Sequence, residues 1–243
     1  MARVALINSA KVNTNTLSDI VVEADLPSGE IRLVVGDPLL SEDYQGVTIA
    51  RDFASLAQNL WGLDQYMDQP WDCGVVIGQK WAAKQPDLPA YFAYLLGHEL
   101  GHAKTILTNL ALAVYEDVVL RYMPKVSPER KWRWDDMPHE VRYDQFGLAI
   151  SEALYGRARL EEEIHRILSD GLTEGKLRLQ KTLDLQPSKD LRGLWAELAQ
   201  FALPYRDRLL ELWKQDRHLG RLRIADGVLD LDTLWSASSR TRP

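Results

Sequence analysis

The feature that most constrains the fold of this sequence is a short group of polar and small residues inside an apolar segment. Residues 94–103 read YLLGHELGHA, which places the pattern H-E-x-x-H at His98, Glu99 and His102. Positions i and i+4 of an α-helix lie one turn apart on the same face, so the two imidazoles can reach one metal ion. The sequence therefore predicts a helix with a metal-binding face.

Glu99 lies about 100° around this helix from His98, beside the predicted ion rather than among its ligands. Zinc lowers the pKa of a bound water to about 7, and a neighbouring carboxylate can accept the proton of that water. H-E-x-x-H on a helix is the pattern of a zinc peptidase. We therefore predict Zn²⁺ as the cofactor, His98 and His102 as metal ligands, and Glu99 as the general base.

The residues around the motif support this interpretation. Gly97 and Gly101 are poor helix formers, which predicts that another segment packs closely against the helix there. An apolar stripe at helical spacing, offset from the histidines, is formed by Leu96, Leu100, Ala103 and Leu107. The alternative is an ordinary helix whose two histidines are solvated or buried and bind no metal.

The composition narrows the class of protein. The chain has 243 residues, of which 46% are hydrophobic and 26% charged, as in a globular protein that buries a sizeable core. The formal net charge of −6 argues against an extended basic surface that binds nucleic acid, so no nucleic-acid partner is expected. The single cysteine, Cys73, excludes an intramolecular disulfide, and it fits a reducing compartment or simple indifference to redox state. Without a recognisable signal peptide or a long uncharged apolar segment, we expect a cytoplasmic protein with no membrane span.

The first third of the chain predicts mainly strands. Residues 4–7 form a short strand, 20–24 and 31–35 a hairpin, and 49–63 a helix. Residues 73–78 read as a buried strand immediately before the metal helix. Such a strand could form a sheet edge that pairs with an extended substrate, and a core strand is the alternative.

The remaining two thirds predict mainly helices. The metal helix starts near Pro89 and extends as far as Tyr122 with a break near Asn109, and a further helix starts at 136–138 and ends at Gly156. Later segments predict a helix over 160–168, helices over 191–212 broken near Pro204, and a short hairpin around Gly227. We predict one α+β domain over residues 1–235, with a largely helical C-terminal half and a disordered tail at 236–243.

A catalytic zinc ion usually has three protein ligands, so one more is expected downstream. Glu140 and Asp144 are at i and i+4 and share a helix face. One of these carboxylates can ligate the metal while the other orients a ligand histidine through its second ring nitrogen. His139 is an alternative third ligand, because histidine is the commoner metal ligand. Two solvated acids on a helix are the non-functional alternative.

This pair of segments resembles the gluzincin pattern, in which H-E-x-x-H is followed by a helix with E-x-x-x-D. Thermolysin-like enzymes, the CAAX-prenyl-protease/HtpX group and small minigluzincins share that pattern, and the residues around Gly147 are most similar to the second group. That group carries membrane spans, which this chain lacks. The ImmA/IrrE proteins have a similar metal helix but commonly place Ala-Asn three and four residues after the ligand glutamate, where this chain has Asp144 at the fourth position.

The resemblance covers about the middle quarter of the chain. It implies a zincin-like fold, in which a small mixed sheet packs on the metal-binding helix. It also implies His98, His102 and Glu140 as zinc ligands, Glu99 as general base, and Asp144 as the residue that orients a ligand.

The leading hypothesis is a soluble zinc metalloendopeptidase that acts on a protein or peptide. The first alternative is a zinc-bearing regulatory or binding module that recognises a protein partner with little or no general proteolysis. A structural protein with a coincidental motif is the second. An oxyanion-stabilising group is also expected, and the candidates are His165, Tyr155, Tyr205, Arg208 and His218.

Overall fold

The structure is a computed structural model that describes residues 2–40, 45–51, 71–130, 132, 136–169, 176–215, 223–224 and 227–228. These residues combine a small mixed sheet with many helices, which confirms the predicted α+β class. The helical character of the second half is confirmed as well. The predicted tail at 236–243 lies outside the described residues.

The elements follow one another along the chain with the sheet strands first. The strands are β1 (Arg3–Asn8), β2 (Glu30–Asp37), β3 (Gly46–Ala50), β4 (Cys73–Gly78), β5 (Arg223–Ile224) and β6 (Gly227–Val228). The helices are α1 (Thr14–Ala24), α2 (Gln79–Ala82), α3 (Pro89–Thr108), α4 (Leu110–Val126), α5 (Pro138–Tyr155), α6 (Arg157–Ser169), α7 (Lys176–Leu183), α8 (Leu194–Ala202) and α9 (Arg206–Gln215). A 3₁₀ turn, Leu203–Tyr205, separates α8 from α9.

The chain divides into two compact units. The first comprises Met1–Thr108 and Tyr143–Asp190, and the second comprises Asn109–Arg142 and Leu191–Pro243. The boundary between Arg142 and Tyr143 falls inside α5, which is one continuous helix. The single domain over residues 1–235 stays a prediction.

In the first unit, strands β1, β2 and β4 are parallel and β3 runs antiparallel to β4, in the order β1-β2-β4-β3. Parallel neighbours need a crossover connection, and α1 provides it between β1 and β2. The predicted hairpin is therefore wrong in its first strand, since residues 20–24 end a helix. Leu17, Ile20 and Ala24 are buried on one face of that helix, so helical periodicity outweighed the β-branched composition.

Strand β4 lies between β2 and β3, and all six of its residues are buried. The prediction that it forms a sheet edge is wrong, and the core-strand alternative is correct. Within the described part of the chain, the edge next to β4 is β3. Ile49 and Ala50 belong to β3, so the helix predicted from residue 49 starts too early, and nearly all of its remainder lies outside the described residues.

Helix α3 carries the H-E-x-x-H motif and ends where the sequence predicts. Asn109 leaves the helical conformation with φ −156° and ψ 80°, and its side chain accepts a hydrogen bond from the Leu112 amide. It thereby caps α4 and creates the predicted break. At the other end, the Tyr91 amide donates to the Glu163 carboxylate over 2.8 Å, so α6 satisfies a backbone group of the first turn of α3.

Helix α5 lies in backbone contact with α3. A Cβ added to Gly147 would lie 2.4 Å from the Tyr94 carbonyl oxygen and 2.9 Å from the His98 amide nitrogen. A Cβ on Gly97 would meet the Gly147 Cα at 3.0 Å. The close approach predicted from the glycines of the motif is confirmed, and it brings the side chains of α5 to the histidines of α3.

The second unit is held by aromatic contacts between helices. Tyr115 on α4 packs against Trp195 on α8 with ring centroids 5.3 Å apart, and Trp132 packs edge-on against Phe201 and Tyr205. The predicted helix break near Pro204 and the short hairpin at Gly227 are both confirmed. None of the helices in the described ranges combines the length and apolar character needed to cross a membrane.

Candidate metal centre

Three side chains named by the sequence converge at the crossing of α3 and α5. One ligand atom from each of His98, His102 and Glu140 lies within 4.8 Å of the others. His98 and Glu140 are buried, and His102 is half-buried. Glu140 is in the first turn of α5, so the continuous helix that packs on α3 also presents this carboxylate. Such a group of two imidazoles and a carboxylate could hold a metal ion.

The spacing of the two histidine nitrogens fits a shared ion. The Nε2 atoms of His98 and His102 are 3.2 Å apart. Two nitrogens bound at about 2.0–2.1 Å to a tetrahedral zinc ion lie about 3.3–3.4 Å from each other. The side chains present therefore fit the group that the sequence predicts, both in the identity of the donor atoms and in the separation of this pair.

The tautomer of His98 follows from its second nitrogen. The Nδ1 atom lies 2.8 Å from Oδ1 of Asp144, and both side chains are almost fully buried. An ionised carboxylate only accepts hydrogen bonds, so Nδ1 carries the proton and donates it. The lone pair is then on Nε2, the nitrogen that faces His102. Asp144 thus contacts the second ring nitrogen of His98, the contact that the sequence predicts for a residue that orients a ligand.

Asp144 is itself held by two further side chains. Its Oδ1 accepts from the Tyr94 hydroxyl over 2.7 Å and from Nη2 of Arg178 over 2.7 Å, while Nε of Arg178 lies 3.2 Å from Oδ2. Burial raises the pKa of Asp144, but Arg178 and His98 outweigh it and hold that pKa below its usual value. Burial raises the pKa of Tyr94, which keeps its hydroxyl a donor. Asp144 is therefore an ionised, fixed acceptor.

The sequence analysis missed both partners of Asp144. Arg178 lies in α7, and no local sequence pattern links it to Asp144, which lies 34 positions earlier. Tyr94 had a usable signal, because it precedes His98 by four positions and shares its helix face. A buried tyrosine one turn before a ligand histidine could have been proposed as a contact.

His102 is held differently, by an aromatic face. The ring centroid of Tyr143 lies 3.9 Å from that of His102, with an interplanar angle of 41°. Tyr143 is fully buried, and its hydroxyl donates to Oγ1 of Thr105 over 2.7 Å. A Cβ on Gly101 would lie 2.8 Å from the Tyr143 ring, so this glycine provides the room for the contact.

Glu99 contacts strand β3. The Thr48 hydroxyl lies 2.7 Å from Oε2 of Glu99 and 2.9 Å from its backbone carbonyl oxygen. Its single hydrogen serves one of these acceptors at a time. A Cβ on Gly46 would lie 2.9 Å from both Cγ and Oε1 of Glu99, so a larger residue there would displace the carboxylate. This contact was not predicted from the sequence, because the predicted helix began at residue 49 and no strand was predicted over Gly46–Ala50.

The other predicted candidates do not belong to this group within the described residues. His139 is buried, but its Nε2 lies 3.8 Å from Oε1 of Glu140, and the metal-binding group does not include it. Among the proposed oxyanion-stabilising groups, His165 contacts a carbonyl of its own helix, Arg208 pairs with Glu211, and Tyr205 packs on Trp132. Tyr155 hydrogen-bonds with Thr16, and His218 lies outside the described residues.

Comparisons of this chain with protein-family models, with curated proteins and with solved structures give no match.

Proposed function

We propose that this protein is a zinc metallopeptidase with a zincin-like fold, which hydrolyses a peptide bond in a protein or peptide substrate. The observation that carries the proposal is the convergence of His98, His102 and Glu140 at one point, with Glu99 next to the first ligand on the same helix. Three protein ligands leave one position of a tetrahedral ion open, which distinguishes a catalytic site from a closed structural one.

Each residue has a role in this proposal. His98, His102 and Glu140 would hold the metal, and Asp144 fixes the ring of His98 through Nδ1. A bound zinc ion supplies a Lewis acid and lowers the pKa of a water molecule at its open position. The Glu99 carboxylate would serve as the general base and would then donate the proton to the leaving nitrogen.

The position of Glu99 supports a peptide substrate. Its carboxylate contacts Thr48 in β3, and β3 is an edge of the sheet in the described part of the chain. An extended peptide can add to a sheet edge through backbone hydrogen bonds, which would bring its carbonyl groups past this carboxylate. We further propose the cytoplasm as the location of the protein, with which the free, buried thiol of Cys73 is compatible.

The test compares the parent protein with Glu99→Gln, which keeps the size of the side chain and removes the base. We expect about one zinc ion per chain in both proteins. Peptidase activity on a broad peptide library should fall by at least about 10²- to 10⁴-fold in the variant. Glu162→Gln, at an exposed carboxylate of α6, is the matched control and should retain full activity.

The outcomes separate the hypotheses. Cleavage by the parent and by Glu162→Gln, but not by Glu99→Gln, supports the zinc peptidase. If neither the parent nor Glu99→Gln cleaves any peptide or any protein of a crude lysate, yet both bind zinc and the same protein partner, the regulatory or binding module replaces it. Equal cleavage by the parent and Glu99→Gln would overturn the proposed mechanism.

A further inference from the structure

The two predicted histidine ligands differ in what holds their rings. His98 is almost fully buried and hydrogen-bonded at Nδ1, whereas His102 is half-buried and has the ring of Tyr143 against one face. We propose that Tyr143 is a positioning residue that sets the metal affinity of the site by fixing the ring of His102. This inference rests on the proposed metal site and concerns a residue that touches a ligand, not the metal.

The first support is that Tyr143 is fixed at both ends. Its backbone belongs to α5, which lies in backbone contact with α3 through Gly97 and Gly147. Its hydroxyl donates over 2.7 Å to Thr105, which follows His102 by three positions on α3. A side chain held at its base and its tip cannot turn, so its ring is a rigid surface beside the imidazole.

The second support is the geometry of the contact. The centroids of Tyr143 and His102 are 3.9 Å apart, closer than the 6.0 Å between Tyr143 and His98. The absence of a side chain on Gly101 lets the Tyr143 ring lie this close to α3, since an added Cβ would approach the ring to 2.8 Å. The imidazole of His102 is therefore limited in its rotation, with Nε2 directed at Nε2 of His98.

The third support is physical. A half-buried imidazole can exchange between rotamers. Metal binding then requires one of these rotamers, and the loss of the others lowers the affinity. Packing that locks the ring beforehand removes this cost, and metal sites depend on such supporting residues. The ring of Tyr143, and not its hydroxyl, should accordingly carry most of the effect on His102.

The experiment measures zinc affinity by chelator competition and records the absorption spectrum of the cobalt(II)-substituted protein. Tyr143→Leu removes the ring, and Tyr143→Phe removes only the hydroxyl. Phe146→Leu is the matched control, because Phe146 is a fully buried aromatic residue on the same helix whose ring packs beside Gly101 and under the Lys104 ammonium group. If Tyr143→Leu does not fold, Tyr143→Met replaces it, since methionine fills more of the volume.

We expect Tyr143→Leu to weaken zinc binding by about 10- to 100-fold and to change the cobalt spectrum. Phe146→Leu should keep the parent affinity and spectrum despite a similar loss of thermal stability. Tyr143→Phe keeps the ring but frees its tip, so it should weaken zinc binding less than Tyr143→Leu does. A tyrosine that only fills the core would give the same metal affinity in both leucine variants, which overturns the proposal. A loss in Tyr143→Phe as large as in Tyr143→Leu also overturns it.

These results are distinguishable from a failure of the proposed function. If the parent protein itself binds no zinc, the proposed metal site is wrong, and the proposed role of Tyr143 is wrong as well. If the parent binds zinc and Tyr143→Leu binds it equally well, only the role of Tyr143 is wrong.

Discussion

The two sides of helix α3 hold the candidate site in different ways. The side that faces α5 uses backbone contact at Gly147, a buried Asp144–His98 pair and an aromatic ring. The side that faces the sheet places Glu99 against β3, where the hydroxyl of Thr48 contacts its carboxylate. On the first side, Asp144 has three partners, which are His98, Tyr94 and Arg178. On the second side, the contacts of Glu99 described above are with Thr48 and Gly46.

The predicted metal ligands and the predicted base are therefore contacted by different elements: α5 and α7 contact the ligands, and β3 contacts the base. Substitutions of Glu140 or Asp144 on α5, or of Arg178 on α7, should change metal affinity. Substitutions on β3 should change the behaviour of Glu99 and leave the metal in place. Variants that violate this separation would show that the two sides of α3 are coupled.

The largest effect should come from Glu140→Ala on the α5 side. Changes to residues that contact a metal ligand typically lower metal affinity by about 10- to 100-fold. Removing a predicted ligand itself should lower zinc affinity by more than that. Equilibrium dialysis with elemental analysis measures the loss. His139→Ala is the adjacent control. If Glu140→Ala binds zinc like the parent and His139→Ala does not, the third ligand is His139.

A smaller effect on the same side should come from Asp144→Asn. The amide oxygen can still accept from His98, but the charge that attracts Arg178 is lost, so zinc affinity should fall by about 10- to 100-fold. Asp117→Asn is the control, since Asp117 pairs with Arg121 in a partly exposed i,i+4 contact on α4. Equal zinc affinity in the parent and Asp144→Asn would mean that Asp144 has no role in orienting the ligand.

The smallest effect should come from Thr48→Val on the β3 side. Valine keeps the shape and strand preference of threonine and removes the hydroxyl that contacts Glu99. An ordinary hydrogen bond contributes about 0.5–1.5 kcal/mol, and the Thr48 hydrogen is shared between two acceptors, so peptidase activity should fall by about 2- to 10-fold. Zinc content should not change, and Thr48→Ser should restore activity. A loss of zinc in Thr48→Val would contradict the separation of the two sides.

Much of the site could be predicted from local sequence because it depends on helical periodicity. The spacing of His98 and His102, the break at Asn109 and the glycines that let α5 approach all follow from residues within one or two turns. The partners that come from distant segments could not be predicted this way. Arg178 and Thr48 contact the site across 80 and 51 positions of the chain, and no local pattern marks either of them.

The prediction of the N-terminal hairpin failed for a related reason. Ile20, Val21 and Val22 have high strand propensity, but burial of one helix face against the rest of the protein decides their structure. Strand β4 was correctly placed in the sequence, yet its position between β2 and β3 depends on pairings that the sequence does not display. Whether a strand lies at the edge or in the centre of its sheet is therefore decided only when the strands pair.

The sequence by itself determined the helix of α3, the face on which its histidines lie and the candidates for a third ligand. These depend on the 3.6-residue period and on donor chemistry, which are local properties. Only the tertiary structure brought Glu140, rather than His139, into the group with the two histidines, and only it placed Tyr143 and Arg178 beside them. The physical reason is that these contacts depend on how closely two helices approach, and that distance is set by packing over the whole length of their interface.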